Sequence, residues 1–242
     1  MKNIAVVFGG YSSEFEVSVK SGKFIYDNLK DNIDWNIYEV CISKEKKIVR
    51  YNNEIYDLDY ESFSFKIHDK FIKPDAVFNI IHGEPGENGD LAEILEKNKI
   101  PQTACDTKVS RLTFNKNKYI EFVNNLGVPS TKQILIKKNQ NISTNEKIKR
   151  ISFPCIIKPN NGGSSIGLSK VYKEVDLNDK IQIAFKEDKE VLIENFLDGQ
   201  EVSVGVIQNK NERTILPITE IISDNELFDY NAKYLGESQE IT

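Results

Sequence analysis

The chain has 242 residues, 39% hydrophobic and 29% charged, with a formal net charge of −5 at pH 7. That composition belongs to a folded globular protein with room for one large or two to three small domains, and it excludes a disordered or fibrous chain. An acidic chain without a clustered basic face argues against a nucleic-acid partner, and no apolar run approaches the roughly 20 residues that span a bilayer.

Ile4 to Phe8 is a compact apolar run ended by Gly9-Gly10. It reads as a buried parallel strand, not as a signal peptide. Val17, Ser21, Phe24, Ile25 and Leu29 follow at helical spacing. Trp35 to Ile42 reads as a second strand. Ile48 to Tyr51 and Ile55 to Leu58, flanking Asn52-Asn53, read as a hairpin. Asp75 to Ile81 is a further strand, and Leu91, Ile94 and Leu95 mark a helix before Pro101. Strands alternating with helices predict an open parallel α/β sheet over residues 1–103. Val109, Leu112, Tyr119, Ile120, Val123 and Leu126 predict one long helix stopped by Gly127 and Pro129. Short strands at Gln133 to Ile136, Cys155 to Lys158 and Leu168 to Val171 complete a second, α+β unit over 104–188. A third unit over 189–242 opens with strands at Val191 to Asn195, Glu201 to Gln208 and Arg213 to Leu216.

Cys41, Cys105 and Cys155 are odd in number and form no C-x-x-C pair. This argues against a disulfide framework or a structural zinc site, and for a reducing cytoplasm.

The segment Lys158 to Gly167 is a glycine- and serine-rich loop after a strand. Its backbone N–H groups can cradle an anion, with Lys158 as counter-charge; it can equally be a plain hairpin loop. It is not a Walker A loop, because no Gly-Lys-Ser/Thr follows the glycines. Glu194 and Glu201 flank an apolar pair and a turn, either an adenine slot with a ribose acceptor or a solvated hairpin. His82 stands where a buried strand ends, with Glu87 nearby, in the position where open α/β sheets bind ligands; a lone histidine can also be a satisfied core residue. Glu14 and Glu16 stand just after Gly9-Gly10. A carboxylate there can hold a substrate ammonium or simply complement a helix N-terminus.

Taken together, these segments resemble the D-alanine–D-alanine ligase family. Val7 to Ser18 is similar to that family's N-terminal signature, and His82-Gly83 through Glu87-Asn88-Gly89 to its second. Phe153-Pro154 through Lys158-Pro159 and Gly163 to Val171 are similar to an ATP-grasp glycine loop. Glu194 to Glu201, Pro217 to Glu220 and Tyr230 to Tyr234 resemble later blocks in the same order.

The resemblance implies a three-domain ATP-grasp fold whose C-terminal domain is incomplete here. It implies phosphorylation of one D-alanine carboxylate by ATP, then attack by the amine of a second D-alanine, in peptidoglycan precursor synthesis. Glu16 is then expected to hold the first ammonium, with His82 near the carboxylate. Ser164 and Tyr234 would join Glu16 in a hydrogen-bonded set. Lys116 and Lys158 would meet ATP phosphates, with Gly163 and Ser165 in the same loop, and Lys233 the transferred phosphoryl group. Glu194, Phe196 and Leu197 would meet adenine, and Glu201 the ribose. The resemblance also implies a homodimer formed through the first domain. Family members continue past Thr242, where an arginine and the Asp, Glu and Asn ligands of magnesium lie; the chain is therefore expected to be a fragment or a truncated product. Two alternatives are a related ligase making D-alanyl-D-lactate or D-alanyl-D-serine, and an inactive nucleotide-binding fragment. In two places the chain departs from the family: Phe15 stands where histidine or arginine is usual, and Gln102-Thr103-Ala104-Cys105 replaces a Tyr-x-Gly-Ser stretch.

Overall fold

A computed structural model describes residues 1–140, 148, 151–209, 212–223 and 238–241. The chain divides into two compact units, Met1–Leu126 with Asn161–Gly163, and Gly127–Asn160 with Ser164–Thr242. No described helix is long and apolar enough to cross a membrane.

In the first unit, β1 (Lys2–Gly9), β2 (Trp35–Ile42), β3 (Lys47–Tyr51), β4 (Glu54–Asp59), β5 (Ser64–Ile67), β6 (Lys70–Ile72) and β7 (Ala76–Asn79) form one sheet. Its order is β6-β5-β4-β3-β2-β1-β7. The expected parallel sheet exists only across β2, β1 and β7. From β2 to β6 the pairing is antiparallel, so the sheet is mixed. Connection length is the reason. A parallel return needs a crossover of about a dozen residues or more, and each link from β2 to β6 is far shorter. Asn52 and Asn53 turn the β3–β4 hairpin with φ of 50° and 65°, the left-handed pair that a two-residue hairpin demands.

β1 is buried on both faces. Ala5 and Val7 join a core that includes Leu91 and Leu95, while Val6 and Phe8 pack with Val19, Ile25 and Leu29. This is the period-two alternation of a strand covered on both sides. The second group lies on α1 (Phe15–Leu29), and Leu91 and Leu95 on α2 (Asp90–Lys97). α1 approaches β1 so closely that a side chain at Gly22 would bring its first carbon within 2.4 Å of the Phe8 ring. Ser18, also on α1, is wholly buried. Its hydroxyl accepts from the Gly9 N–H at 2.8 Å and donates to the Ile80 carbonyl at 2.7 Å.

The single long helix expected after residue 104 is two helices, α3 (Thr107–Phe114) and α4 (Lys116–Asn125). Asn115 leaves helical geometry, with φ −89° and ψ 100°, and its side chain accepts from the Lys118 N–H. A residue that caps a new helix in this way ends the old one. The departing segment at 102–105 is tied to the sheet edge: the Asn79 N–H donates to the Thr103 hydroxyl at 3.1 Å, and the Thr103 N–H donates to the Val77 carbonyl at 3.1 Å.

In the second unit, β8 (Gln133–Lys137), β9 (Cys155–Pro159), β10 (Ser169–Val171) and β11 (Glu190–Asn195) form an antiparallel sheet of order β10-β9-β11-β8. One face packs on α5 (Glu174–Ala184) through Leu177, Ile181 and Ala184 against Ile157, Val171, Val191 and Ile193. β11 therefore sits inside this sheet, because the apolar run Val191 to Ile193 is fully buried there. β12 (Glu201–Asn209), β13 (Glu212–Ser223) and β14 (Ser238–Ile241) form a separate antiparallel sheet.

Two outcomes test this packing. Gly22→Ala gains about 1 kcal/mol of helix propensity but overpacks against Phe8. We expect a net destabilisation of about 1–3 kcal/mol, read by chemical denaturation. Burial pushes the Cys155 thiol up to about 11, so it stays neutral at pH 8, whereas Cys105 is exposed. A thiol reagent at pH 8 should label Cys105 first and reach Cys155 only on unfolding, as mass spectrometry of the labelled peptides would show.

Candidate functional site

Each unit carries its own cluster of polar groups. In the first unit the cluster lies beyond the carboxyl ends of the parallel strands β1 and β7, the place where such sheets bind ligands. Glu14 is at the N-cap position of α1 and only 3% exposed. Its backbone N–H donates to the Ser12 hydroxyl at 3.2 Å, and its carbonyl accepts from the Ser18 N–H at 3.0 Å. Its carboxylate reaches toward two loops. A Cβ on Gly163 would lie 3.3 Å and 3.4 Å from its two oxygens, and one on Gly83 would lie 3.5 Å from Oε2.

Glu16 does not share this setting. It lies in the first turn of α1 and is exposed. Helix phase separates the two acids. Glu14, Ser18 and Gly22 repeat every four residues and share the buried face, whereas Glu16 is offset from Ser18 by about 200°. That spacing shows which residues share a helix face; which face is buried is decided by packing.

His82 is half-buried in the loop after β7. Its carbonyl accepts from the Ser12 hydroxyl at 2.8 Å. Glu87 accepts from the Gly83 N–H at 2.7 Å. Surrounding protein raises the Glu87 carboxyl above its usual range by desolvation. The Gly83 N–H opposes that rise, the Glu14 charge adds to it, and His82 and Lys116 oppose it. The Glu87 side chain nonetheless reaches solvent, so the shift describes a crowded rim, not a buried acid. Lys116, the first residue of α4, donates to the Gly162 carbonyl at 2.6 Å, and the neighbouring Asn115 amide donates to Asn161 Oδ1 at 3.3 Å.

In the second unit a cavity of about 290 Å³ gathers six of the residues expected to bind nucleotide: Lys158, Ser165, Glu194, Phe196, Leu197 and Glu201. Ile156, Leu168, Thr131 and Asn195 complete its wall and were not anticipated. Ile156 precedes Lys158 by two residues, so period-two alternation puts both on one face of β9. Lys158 Nζ lies 2.8 Å from Glu194 Oε2, with the carboxylate side chain only 8% exposed. The other oxygen, Glu194 Oε1, is buried with no hydrogen-bond partner among the described residues. An acceptor in this state has room for a further hydrogen bond. The Lys170 ammonium lies 3.5 Å from the Phe196 ring centroid. Ser164 and Ser165 are both left-handed, with φ of 48° and 58°, between Gly162 at 106° and Gly167 at 75°. A turn made this way presents backbone N–H groups rather than continuing a strand.

Lys233 and Tyr234 lie outside the described residues. Among the described residues no group of three or more His, Cys, Asp or Glu side chains is placed to hold a metal ion. The magnesium implied by the resemblance therefore has no fitting ligand set among the described residues.

A family model for the D-ala D-ala ligase N-terminus matches residues 3–105, and one for the D-ala D-ala ligase C-terminus matches residues 122–242. The chain belongs to the D-alanine–D-alanine ligase family. It is 46% identical to a D-alanine–D-alanine ligase of Flavobacterium johnsoniae, covering 100% of this chain and 75% of that one. A second, from Christiangramia forsetii, is also 46% identical over 100% of this chain and 74% of its own length. Among solved structures, D-alanyl-alanine synthetase A from Vibrio cholerae superposes with a TM-score of 0.83 at 27% identity, over 99% of this chain and 73% of that one. The VanG D-Ala:D-Ser ligase of Enterococcus faecalis superposes with a TM-score of 0.80 at 29% identity, over 99% and 75%. The ATP-grasp ligase fold expected from the motifs is thus the fold of this chain.

The ion pair in this ligase cavity makes a stability prediction. Lys158→Met strands the Glu194 carboxylate in a nearly closed place. We expect a loss of about 1–3 kcal/mol, the partly exposed lysine moderating the larger cost of breaking a fully buried pair. Adding Glu194→Gln should recover most of it in a double-mutant denaturation cycle.

Proposed function

We propose that the chain serves the ATP-dependent joining of two D-alanine molecules into D-alanyl-D-alanine for peptidoglycan precursors. The observation that carries this reading is the cavity of the second unit, which gathers Lys158, Ser165, Glu194, Phe196, Leu197 and Glu201 around an unpartnered Glu194 oxygen. Adenine supplies what that oxygen lacks, a planar ring with an exocyclic amino donor. The ring would lie among Ile156, Phe196 and Leu197, with Glu201 accepting from the ribose and Lys158 facing phosphate.

The chemistry follows from the weakness of a carboxylate as an electrophile. One carboxylate oxygen of the first D-alanine attacks the γ-phosphorus, and the bond to ADP breaks. The amine of the second D-alanine, having lost a proton, attacks the acyl carbon, and phosphate leaves with the bonding pair. The protein's contribution is alignment, charge neutralisation and protection of the acyl phosphate from water. Glu14, in place of Glu16, would hold the first ammonium, and His82 would sit by its carboxylate. Lys116 would exchange the Gly162 carbonyl for phosphate. Gly163 leaves room for the Glu14 carboxylate, and Ser164 would join it in the hydrogen-bonded set with Tyr234; Lys233 would meet the transferred phosphoryl group. A cytoplasmic homodimer completes the proposal. The likeness to a D-Ala:D-Ser ligase favours D-serine as the second acceptor to compare.

The test is calorimetric binding of ATP and D-alanine, with phosphate release measured alongside. Glu14→Gln should weaken D-alanine binding about tenfold or more, the scale of a lost charge-assisted contact, while Glu16→Gln leaves it unchanged. Equal losses in both variants would reverse the assignment of the acid. Nucleotide binding without phosphate release in the presence of D-alanine, D-serine or D-lactate would leave a nucleotide-binding fragment as the better description.

A further inference from the structure

Phe196 is the first residue beyond β11, and from there to Gln200 the chain belongs to no strand or helix. Strand pairing therefore stops at the residue before it, and its ring takes its direction from what lies beside it. What lies beside it is a charge. The Lys170 ammonium stands 3.5 Å from the centroid of the Phe196 ring. At that distance it stands over a face, because an approach in the ring plane would collide with the ring's own edge.

Register explains how the two meet. β10 pairs Lys170 with Ile156, and β11 pairs Glu194 with the same Ile156. Residues paired directly share a face of the sheet, so Lys170 stands on the cavity face, one strand beyond Ile156. The Phe196 N–H donates to the Pro154 carbonyl at 3.2 Å. That bond keeps the Phe196 backbone beside the start of β9, within reach of a long side chain from β10. The same ammonium lies 5.3 Å from the Tyr172 ring centroid, so a second ring shares it. Phe196 lines the cavity and Lys170 does not. An ammonium between ring and cavity would itself be part of the wall. Lys170 therefore covers a side of the ring turned away from the cavity and leaves the rest of the ring to it.

We propose that Lys170 is a positioning residue for adenine, its ammonium holding the Phe196 ring in place as one wall of the cavity. The inference rests on the reading of that cavity as the adenine site. A cation over an aromatic face is attracted by the ring's quadrupole, more strongly as water is excluded. Lys170 and Phe196 are both half-buried, so the contact lies between those limits. A ring held before the ligand arrives removes an ordering cost from binding. Lys170 acts through Phe196 and needs no contact with the nucleotide. That separates it from Lys158, which lines the cavity itself.

The test is calorimetric binding to the full chain of two probes, ATP and inorganic tripolyphosphate, which carries phosphates without adenine. Lys170→Met keeps the stem and removes the charge. It should weaken ATP about three- to tenfold, the range of one cation–π contact, and leave tripolyphosphate within about twofold. Lys170→Arg keeps a cation that stacks on aromatic rings and should restore most of the ATP affinity. In a Phe196→Leu background, Lys170→Met should cost no further ATP affinity, since the ring it acts through is gone. Equal losses for ATP and tripolyphosphate would overturn the proposal, because Lys170 would then be a phosphate contact. So would an unchanged ATP affinity in Lys170→Met, or an undiminished loss in the Phe196→Leu background. A parent chain that binds ATP no more tightly than tripolyphosphate would instead sink the adenine reading of the cavity, and the role of Lys170 with it.

Discussion

One buried hydroxyl sets the relation between the two loops of the first unit. Strands β1 and β7 run parallel and end side by side, leaving the Gly9 N–H and the Ile80 carbonyl without a strand partner. Ser18 satisfies both at once, at 2.8 Å and 2.7 Å. Leaving such groups buried and unpaired costs about 1–3 kcal/mol each, so the hydroxyl is held in place as firmly as it holds. Its position on α1 then dictates the rest. The helix turn that carries Ser18 inward also carries Gly22 onto Phe8 and Glu14 into the loop cluster.

The second unit uses its sheet differently on its two faces. Cys155, Ile157, Val191 and Ile193 point to the side covered by α5 and form the core. Ile156, Lys158 and Glu194 point to the other side and line the cavity. Antiparallel pairing of Lys158 with Leu192 and of Ile156 with Glu194 makes Lys158 and Glu194 diagonal neighbours. Side chains in that relation are close enough for an ion pair. The pair commits one oxygen of Glu194, and the other is buried without a hydrogen-bond partner among the described residues.

Much of this was legible in the chain. The apolar runs at 4–8, 35–42, 155–158 and 191–195 became strands β1, β2, β9 and β11 because each is long enough, and apolar enough, to be buried wherever it pairs. The Asn52-Asn53 turn specified its hairpin through local backbone preference. Strands β5 and β6 escaped notice because they are short, are joined through His68 and Asp69, and alternate weakly. Helix α5 escaped because its buried stripe of Leu177, Ile181 and Ala184 is narrow among many polar residues. The break at Asn115 was hidden because apolar spacing on either side of it stays helical, and only the cap geometry reveals two helices.

By itself the sequence determined the longer apolar strands, since each follows from local pattern, and the family blocks; the resemblance those blocks carry named six residues that line the cavity of the second unit. Tertiary structure alone decided that the first sheet is mixed, that Glu14 rather than Glu16 enters the loop cluster, and that Ser12 and Glu87 meet on one peptide plane. Each of these depends on the direction a side chain takes once distant segments have packed. For α1 that direction is set by Phe8 pressing on Gly22 and by Ser18 bridging Gly9 and Ile80, contacts that span the sheet and leave no mark in any short stretch of the chain.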